Sequence, residues 1–180
     1  INKNMIGPKT KKNLEEAFAG ESMARNKYDY FASVFRKAGY VQMANIFEET
    51  ARNEKEHAKL WAKQLGYIHE EISDNLKSAI SGENYEHTSM YPRMEKEALE
   101  EGHEDIPKLF KEVAEVEEAH EKRYQKLLEN IENGSVFKKE EVKLWKCNNC
   151  GYIHEGEEAP DKCPACSHPQ GYFELFTETY

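Results

Sequence analysis

Apolar and polar positions along most of the chain follow helical spacing. Phe47, Ala51 and Glu54, followed by His57, recur every three to four residues, and Phe110, Ala114, Glu117 and His120 repeat the series. Residues spaced in this way share one helix face. Segments rich in Ala, Glu, Lys, Leu and Met predict four helices. The first runs from Lys11 to Ala38 and ends at Gly39, and the second runs from Val41 to Leu65 and stops at Gly66; glycine suits both ends because it accepts a left-handed backbone. The third follows Ser73 as N-cap and reaches Glu101, with a kink expected at Pro92, which removes a backbone donor. The fourth runs from Ile106 to Ile131, with Pro107 in the first turn, where proline is tolerated. Short links within each pair and a longer connection, YIHEEISD, between the pairs predict an antiparallel four-helix bundle with one long crossover. The helical pattern fails at Asn133-Gly134-Ser135. The sequence therefore divides into a helical domain over 1–134, a linker over 135–144 and a second small domain over 145–180.

An internal repeat selects the chemistry. Asn13-Leu14 through Gly20-Glu21 aligns with Asn75-Leu76 through Gly82-Glu83 at an offset of 62, while the Phe47–His57 and Phe110–His120 series align at 63. Glu-x-x-His places two donors about 60° apart on one face, so both reach one metal. In a glutamate-rich chain that pattern alone is weak, and Glu100-x-x-His103, which has no repeat counterpart, is read as chance. Glu54/His57 and Glu117/His120 occupy equivalent places, as do Glu21 and Glu83. One Glu from each of two helices plus Glu-x-x-His from each of the other two is a di-iron ligand set. An exposed salt-bridge face is the ordinary use of helical glutamates, but the small and apolar neighbours of these residues point them inward. Buried carboxylates cost several kcal/mol each unless a cation offsets them.

The repeat breaks at Glu86, whose counterpart is Ala24, so the site would hold five carboxylates and two imidazoles. Exchange between Glu86 in the oxidised state and neutral His57 in the reduced state would keep the donor charge matched to the metals. Tyr28 and Tyr91 stand two turns after Glu21 and Glu83. Each is expected to hydrogen-bond a ligating carboxylate, since a buried hydroxyl wants a partner. The other histidines, His69, His87, His103, His154 and His168, lack a spacing partner and are read as surface or structural.

All four cysteines lie beyond residue 146, as Cys147-x-x-Cys150 and Cys163-x-x-Cys166. Two such knuckles make a tetrahedral tetrathiolate site, and the spacing alone leaves zinc and iron open. Trp145, Tyr152, Phe173 and Phe176 are expected to wrap it in apolar surface. Beside a di-iron bundle, a one-electron iron is the better reading, because zinc has no redox chemistry. Charge adds exclusions. With 33% charged residues, a net charge of −9 and a mean hydropathy of −0.91, the chain is unsuited to nucleic acid. No apolar run approaches membrane-spanning length. The N-terminal stretch lacks a signal-peptide core, and paired C-x-x-C motifs read as metal ligands in a reducing compartment, so a cytoplasmic location is expected.

Taken together, Gly20-Glu21, Glu54–His57, Gly82–Thr88, Met90-Tyr91-Pro92, Glu117–Tyr124 and the CNNCGY and CPAC knuckles resemble the rubrerythrins over the whole chain. The resemblance implies a mainly α, ferritin-like bundle with a rubredoxin-like domain after it. It implies iron as cofactor, with zinc in some preparations: a pair held by Glu21, Glu54, Glu83, Glu86, Glu117 and His120, with His57 joining on reduction, and a third iron held by Cys147, Cys150, Cys163 and Cys166. The implied activity is reduction of hydrogen peroxide to water. Electrons would come from NAD(P)H through a separate rubredoxin reductase or a rubredoxin, and no dinucleotide fingerprint is present. A homodimer is expected, in which the rubredoxin-like domain of one chain faces the di-iron site of its partner. A ferroxidase, oxidase or iron-handling role is the competing expectation.

Overall fold

The computed structural model describes residues 6–180. It divides into two compact units, one ending at Glu70 and the other beginning at Glu71. In the first unit, α1 (Pro8–Lys37) packs along α2 (Val41–Leu65). Their seam is built on Ala44, Ala51 and Ala58, seven residues apart and almost fully buried, with Ala62 one turn further on. Alanines at heptad spacing form a stripe without bulk, which lets a second helix approach closely. Phe47 fills the space beside this stripe. It stacks on Phe35 at 5.2 Å between ring centroids and meets Tyr28 and Phe31 edge-on at 5.6 and 5.8 Å. Gly66 ends α2 in the left-handed region, at φ 70°. There the Tyr67 amide donates to the Ala62 carbonyl at 3.0 Å, and the Gly66 amide donates to the Lys63 carbonyl at 3.3 Å. Carbonyls that the helix leaves open are thereby satisfied.

The second unit begins with the third predicted helix, which is not one uniform α-helix. It runs as α3 (Ile72–Tyr85), a π-helical turn (Glu86–Met90) and α4 (Tyr91–Glu100). The irregularity expected at Pro92 thus takes the form of a widened turn just upstream. Pro92 has no N–H to close an α turn, and the Tyr91 amide reaches five residues back to the Glu86 carbonyl. Both segments pack on α5 (Asp105–Glu132).

A three-stranded antiparallel sheet of order β2-β1-β3 follows, from β1 (Lys138–Cys147), β2 (Ile153–Glu158) and β3 (Phe173–Leu175). β1 begins inside the stretch 135–144, because Lys138 pairs with Glu158 and, after a register shift, Lys143 pairs with Gly156. Trp145, Cys147, Ala159, Cys163 and Phe173 form the buried core of this part, with Tyr152 packed against it. The Trp145 indole donates to the Gly156 carbonyl at 3.0 Å. Phe176 lies outside that core and carries the Lys146 ammonium 5.9 Å above its ring.

Candidate metal centres

In the first unit, α1 carries Glu21 while α2 carries Glu54 and His57 one turn apart. His57 Nδ1 lies 2.9 Å from Glu54 Oε2 and 3.6 Å from Glu21 Oε2. In the second unit, α3 carries Glu83 while α5 carries Glu117 and His120. His120 Nδ1 lies 2.9 Å from Glu117 Oε2 and 3.6 Å from Glu83 Oε1. The sequence repeat is therefore a repeat of geometry. Within each trio, one donor atom per residue lies within 4.8 Å of the others.

The electrostatics of both trios call for a cation. The hydrogen bond to Glu54, followed by burial, holds the Glu21 carboxyl above its usual range. Glu54 is drawn down by that same bond and by His57, so the two carboxyls titrate as a pair and not independently. The bond to Glu54 is the main cause of an upward shift at His57. At Glu83, burial first and then Glu117 push the carboxyl up. Its Oε2 is also buried without a hydrogen-bond partner. A polar atom left in that state costs about 1–3 kcal/mol, and a bound metal removes the cost by taking the lone pair. Donors of this kind, carboxylate oxygen with imidazole nitrogen, fit iron.

Glu86 is half-buried at the start of the π-helical turn. After burial, the charges of Glu86, Glu117 and Glu83 keep the Tyr91 phenol raised, so it stays protonated. The Tyr91 ring rests on Phe110 at 6.0 Å, and Tyr28 packs among Phe31 and Phe47. Glu100 pairs with Lys96 and His103 with Glu101, each at 3.8 Å. That third copy of Glu-x-x-His joins no cluster among the described residues.

One group escaped the sequence reading. Glu121, at 9% exposure, is the buried charged side chain of the described residues. Both of its oxygens accept from Asn84 Nδ2 at 3.3 Å, and Oε1 accepts from Gln125 Nε2 at 2.9 Å. His87 Nε2 completes the set at Oε2. These bonds tie α5 to the end of α3 and to the π-helical turn that carries Glu86. A signal was present: the offset of 63 puts Glu121 where the buried seam residue Ala58 stands in the first half.

The cysteine knuckles are near copies of each other. The Gly151 amide donates to the Cys147 carbonyl at 2.8 Å and the Ser167 amide to the Cys163 carbonyl at 2.9 Å. The Cys147 amide bonds the Tyr152 carbonyl, and the Cys163 amide bonds the His168 carbonyl. Gly151 and Ser167 both sit at positive φ, 80° and 64°. Cys147 and Cys166 sulfurs stand 3.7 Å apart, as do those of Cys150 and Cys163. A tetrahedron with metal–sulfur bonds of about 2.3 Å has an edge of about 3.8 Å, so the cage has the size of a bound ion. The backbone amide of His168 is the main influence lowering Cys166 to about 6. The Tyr152 amide pulls on Cys150 in the same sense, but the neighbouring thiols and burial outweigh it and take Cys150 up to about 12. Cys150 and Cys166 are thus pushed in opposite directions within one cage, and a cation bound there converts thiols to thiolates.

Comparisons with known proteins agree with this architecture. The rubrerythrin family profile matches residues 12–128, and the profile of the rubrerythrin rubredoxin-like domain matches residues 145–174. A rubrerythrin of Clostridium perfringens is 51% identical, covering 99% of this chain and all of the relative. A rubrerythrin of Nitratidesulfovibrio vulgaris is 45% identical, covering 96% and 97%. Among solved structures, nigerythrin in a partially reduced state is 34% identical, with a TM-score of 0.36, over 97% of this chain and 89% of that one. No helix among the described residues is long and apolar enough to cross a membrane. With a helical part bearing two carboxylate–histidine trios of one geometry and a four-cysteine cage behind it, the chain belongs to the rubrerythrin family, of ferritin-like fold with a rubredoxin-like domain and iron-binding donor sets.

Proposed function

We propose that the chain is a peroxidase, in which hydrogen peroxide takes up two electrons and two protons and leaves as two waters. The observation that carries this reading is the duplicated trio, with its 2.9 Å and 3.6 Å imidazole–carboxylate distances in both halves. Glu21, Glu54, Glu83, Glu86, Glu117, His120 and His57 would hold a pair of irons, which supplies both electrons together and polarises the O–O bond. The chain's own residues set the conditions. Five carboxylates balance most of the charge of two metals. Glu86 and His57 offer an anionic and a neutral donor, whose exchange shifts the donor charge by one as the site is oxidised and reduced. Tyr91, kept protonated by burial and by its carboxylate neighbours, has a proton to donate to a ligating oxygen, and Tyr28 occupies the matching place in the first half.

Cys147, Cys150, Cys163 and Cys166 would hold a third iron, which would supply one-electron relay to the pair. Cys150 is exposed, so the cage presents one sulfur at the surface where a rubredoxin, or a reductase drawing on NAD(P)H, can deliver electrons. The test is anaerobic stopped-flow on fully reduced, iron-loaded protein, following the visible band of the oxidised tetrathiolate iron. Fast reoxidation by hydrogen peroxide and slow reoxidation by dioxygen is the expected result. Faster reaction with dioxygen would make the chain an oxidase or ferroxidase instead.

A further inference from the structure

The two halves of the helical part serve as controls for one another. Each carries one trio, and α2 and α5 align at an offset of 63. The buried seam of α2 is Ala44, Ala51 and Ala58. The same heptad line on α5 is Pro107, Ala114 and Glu121, of which Pro107 and Glu121 are buried. Alanine closes the first seam at this level, so packing alone does not call for a carboxylate in the second. A buried carboxylate costs several kcal/mol unless its surroundings offset it.

The residues that meet this carboxylate also differ between the halves. Asn84 and His87 stand at the places of Ser22 and Arg25 on α1, at the offset of 62. The Ser22 hydroxyl turns back on its own helix and donates to the Phe18 carbonyl at 2.7 Å, while Arg25 is exposed. Asn84 and His87 instead reach across to α5. Asn84 Nδ2 donates to Glu121 at 3.3 Å and His87 Nε2 bonds its Oε2. Gln125 braces the same carboxylate from one turn along α5, at 2.9 Å.

Glu86 lies between the two gripped residues and is the first residue of the π-helical turn. Its counterpart, Ala24, sits in an unbroken α-helix. The half with the extra carboxylate is therefore also the half with the widened turn and the cross-helix clamp. Glu86 is not part of the second trio, whose donors lie within 4.8 Å of one another. It is nonetheless close: after burial it is the main influence on the Tyr91 phenol, and it adds to burial and Glu117 at the Glu83 carboxyl. A side chain so placed keeps its aim only while the turn keeps its register, since one residue of slip rotates a helix by about 100°. The Thr88 hydroxyl tightens the hold by donating to the Asn84 carbonyl at 2.6 Å.

We propose that Glu121 is a positioning residue for Glu86: through His87 and Asn84 it holds the π-helical turn in the register that presents the Glu86 carboxylate to the metal pair. This inference rests on the di-iron reading of the trios, with Glu86 among the donors. The buried glutamate then serves the site and not the seam.

A double-mutant cycle on the reduction potential of the pair tests it. The full chain is loaded with iron-57, and Mössbauer spectra along a redox titration give the ferric fraction of the pair in the parent, Glu86→Gln, Glu121→Ala and the double variant. Loss of an anionic donor disfavours the ferric state, so Glu86→Gln is expected to raise the potential. Glu121→Ala is expected to raise it as well, but to add less than half of that rise when Glu86→Gln is already present. Glu121→Gln loses the charge yet keeps an accepting oxygen, and its rise is expected to be smaller than that of Glu121→Ala. A potential unmoved by Glu86→Gln or by Glu121→Ala overturns the positioning role. So does half or more of the Glu121→Ala rise persisting in the double variant, or a Glu121→Gln rise as large as that of Glu121→Ala, since each marks a direct effect of charge. If Glu121→Ala lacks the parent's helical circular dichroism, His87→Ala replaces it in the cycle, opening the clamp from the turn with the Glu121 carboxylate in place. A parent chain that binds no spin-coupled pair would instead overturn the di-iron reading beneath the proposal.

Discussion

Glu121 offers a quantitative check on how the donor helices are held. It is buried at 9% exposure and satisfies Asn84, Gln125 and His87 at once. In Glu121→Ala the charge-assisted bond to His87 is lost, worth about 1.5–3 kcal/mol, and the Asn84 bond adds about 1 kcal/mol. Gln125 follows on the same helix one turn later and regains water, so it adds little. The expected cost is about 3 kcal/mol. Glu121→Gln keeps the shape and one accepting oxygen but turns its amide toward other donors, so its cost should be about 1 kcal/mol. Urea unfolding of the metal-free helices, followed by far-ultraviolet circular dichroism and extrapolated linearly, measures both. Amide exchange over Glu86–Met90 should accelerate in Glu121→Ala, because the π-helical turn loses its tie to α5. If both variants unfold within about 0.5 kcal/mol of the parent, the account of Glu121 as the clamp is wrong.

Other consequences follow from the same geometry. Ser167 holds a left-handed conformation, at φ 64°, that Gly151 fills in the first knuckle. Ser167→Gly should therefore raise the stability of the metal-loaded rubredoxin-like domain by about 1 kcal/mol, seen as a higher midpoint in thermal melts. Glu21 and Glu83 have raised carboxyl pKa values and His57 a raised imidazole pKa. In the metal-free protein the folded state binds more protons than the unfolded state above pH 4.5 for the glutamates and above 6.5 for His57. Stability from these groups should fall as pH rises through those windows. Iron affinity should climb over the same range, since iron displaces those protons. Melts and ferrous titrations from pH 5 to 8 measure both trends, and metal-free stability that rises with pH would contradict them. Removing the tetrathiolate metal with a chelator should unfold the sheet around Trp145 while leaving the helices. The core there is only five residues, and the outcome is a red shift of Trp145 fluorescence with unchanged helical dichroism.

Much of this molecule was legible because its chemistry is written at fixed spacings. Glycines after Ala38 and Leu65 mark the ends of α1 and α2, and the duplicated Glu-x-x-His marks side chains that the structure brings within 4.8 Å of a glutamate on the neighbouring helix. Other features were present in the sequence without a rule to interpret them. Glu21 and Glu83 align at 62, but Tyr28 and Tyr91 align at 63. The π-helical turn between Glu83 and Tyr91 absorbs that extra residue. His87 looked partnerless because spacing rules connect residues on one helix, whereas Glu121 is on another. Ser167 gave no warning, since a left-handed serine is set by the knuckle closing around it and not by local preference.

The most direct test of the central claim is Mössbauer spectroscopy of iron-57-loaded parent protein beside Glu83→Gln. The account expects one tetrathiolate iron and one spin-coupled iron pair per chain in the parent, with the pair lost and the tetrathiolate signal kept in the variant. Zinc at the cysteines, uncoupled irons in the parent, or a pair unaffected by Glu83→Gln would contradict it.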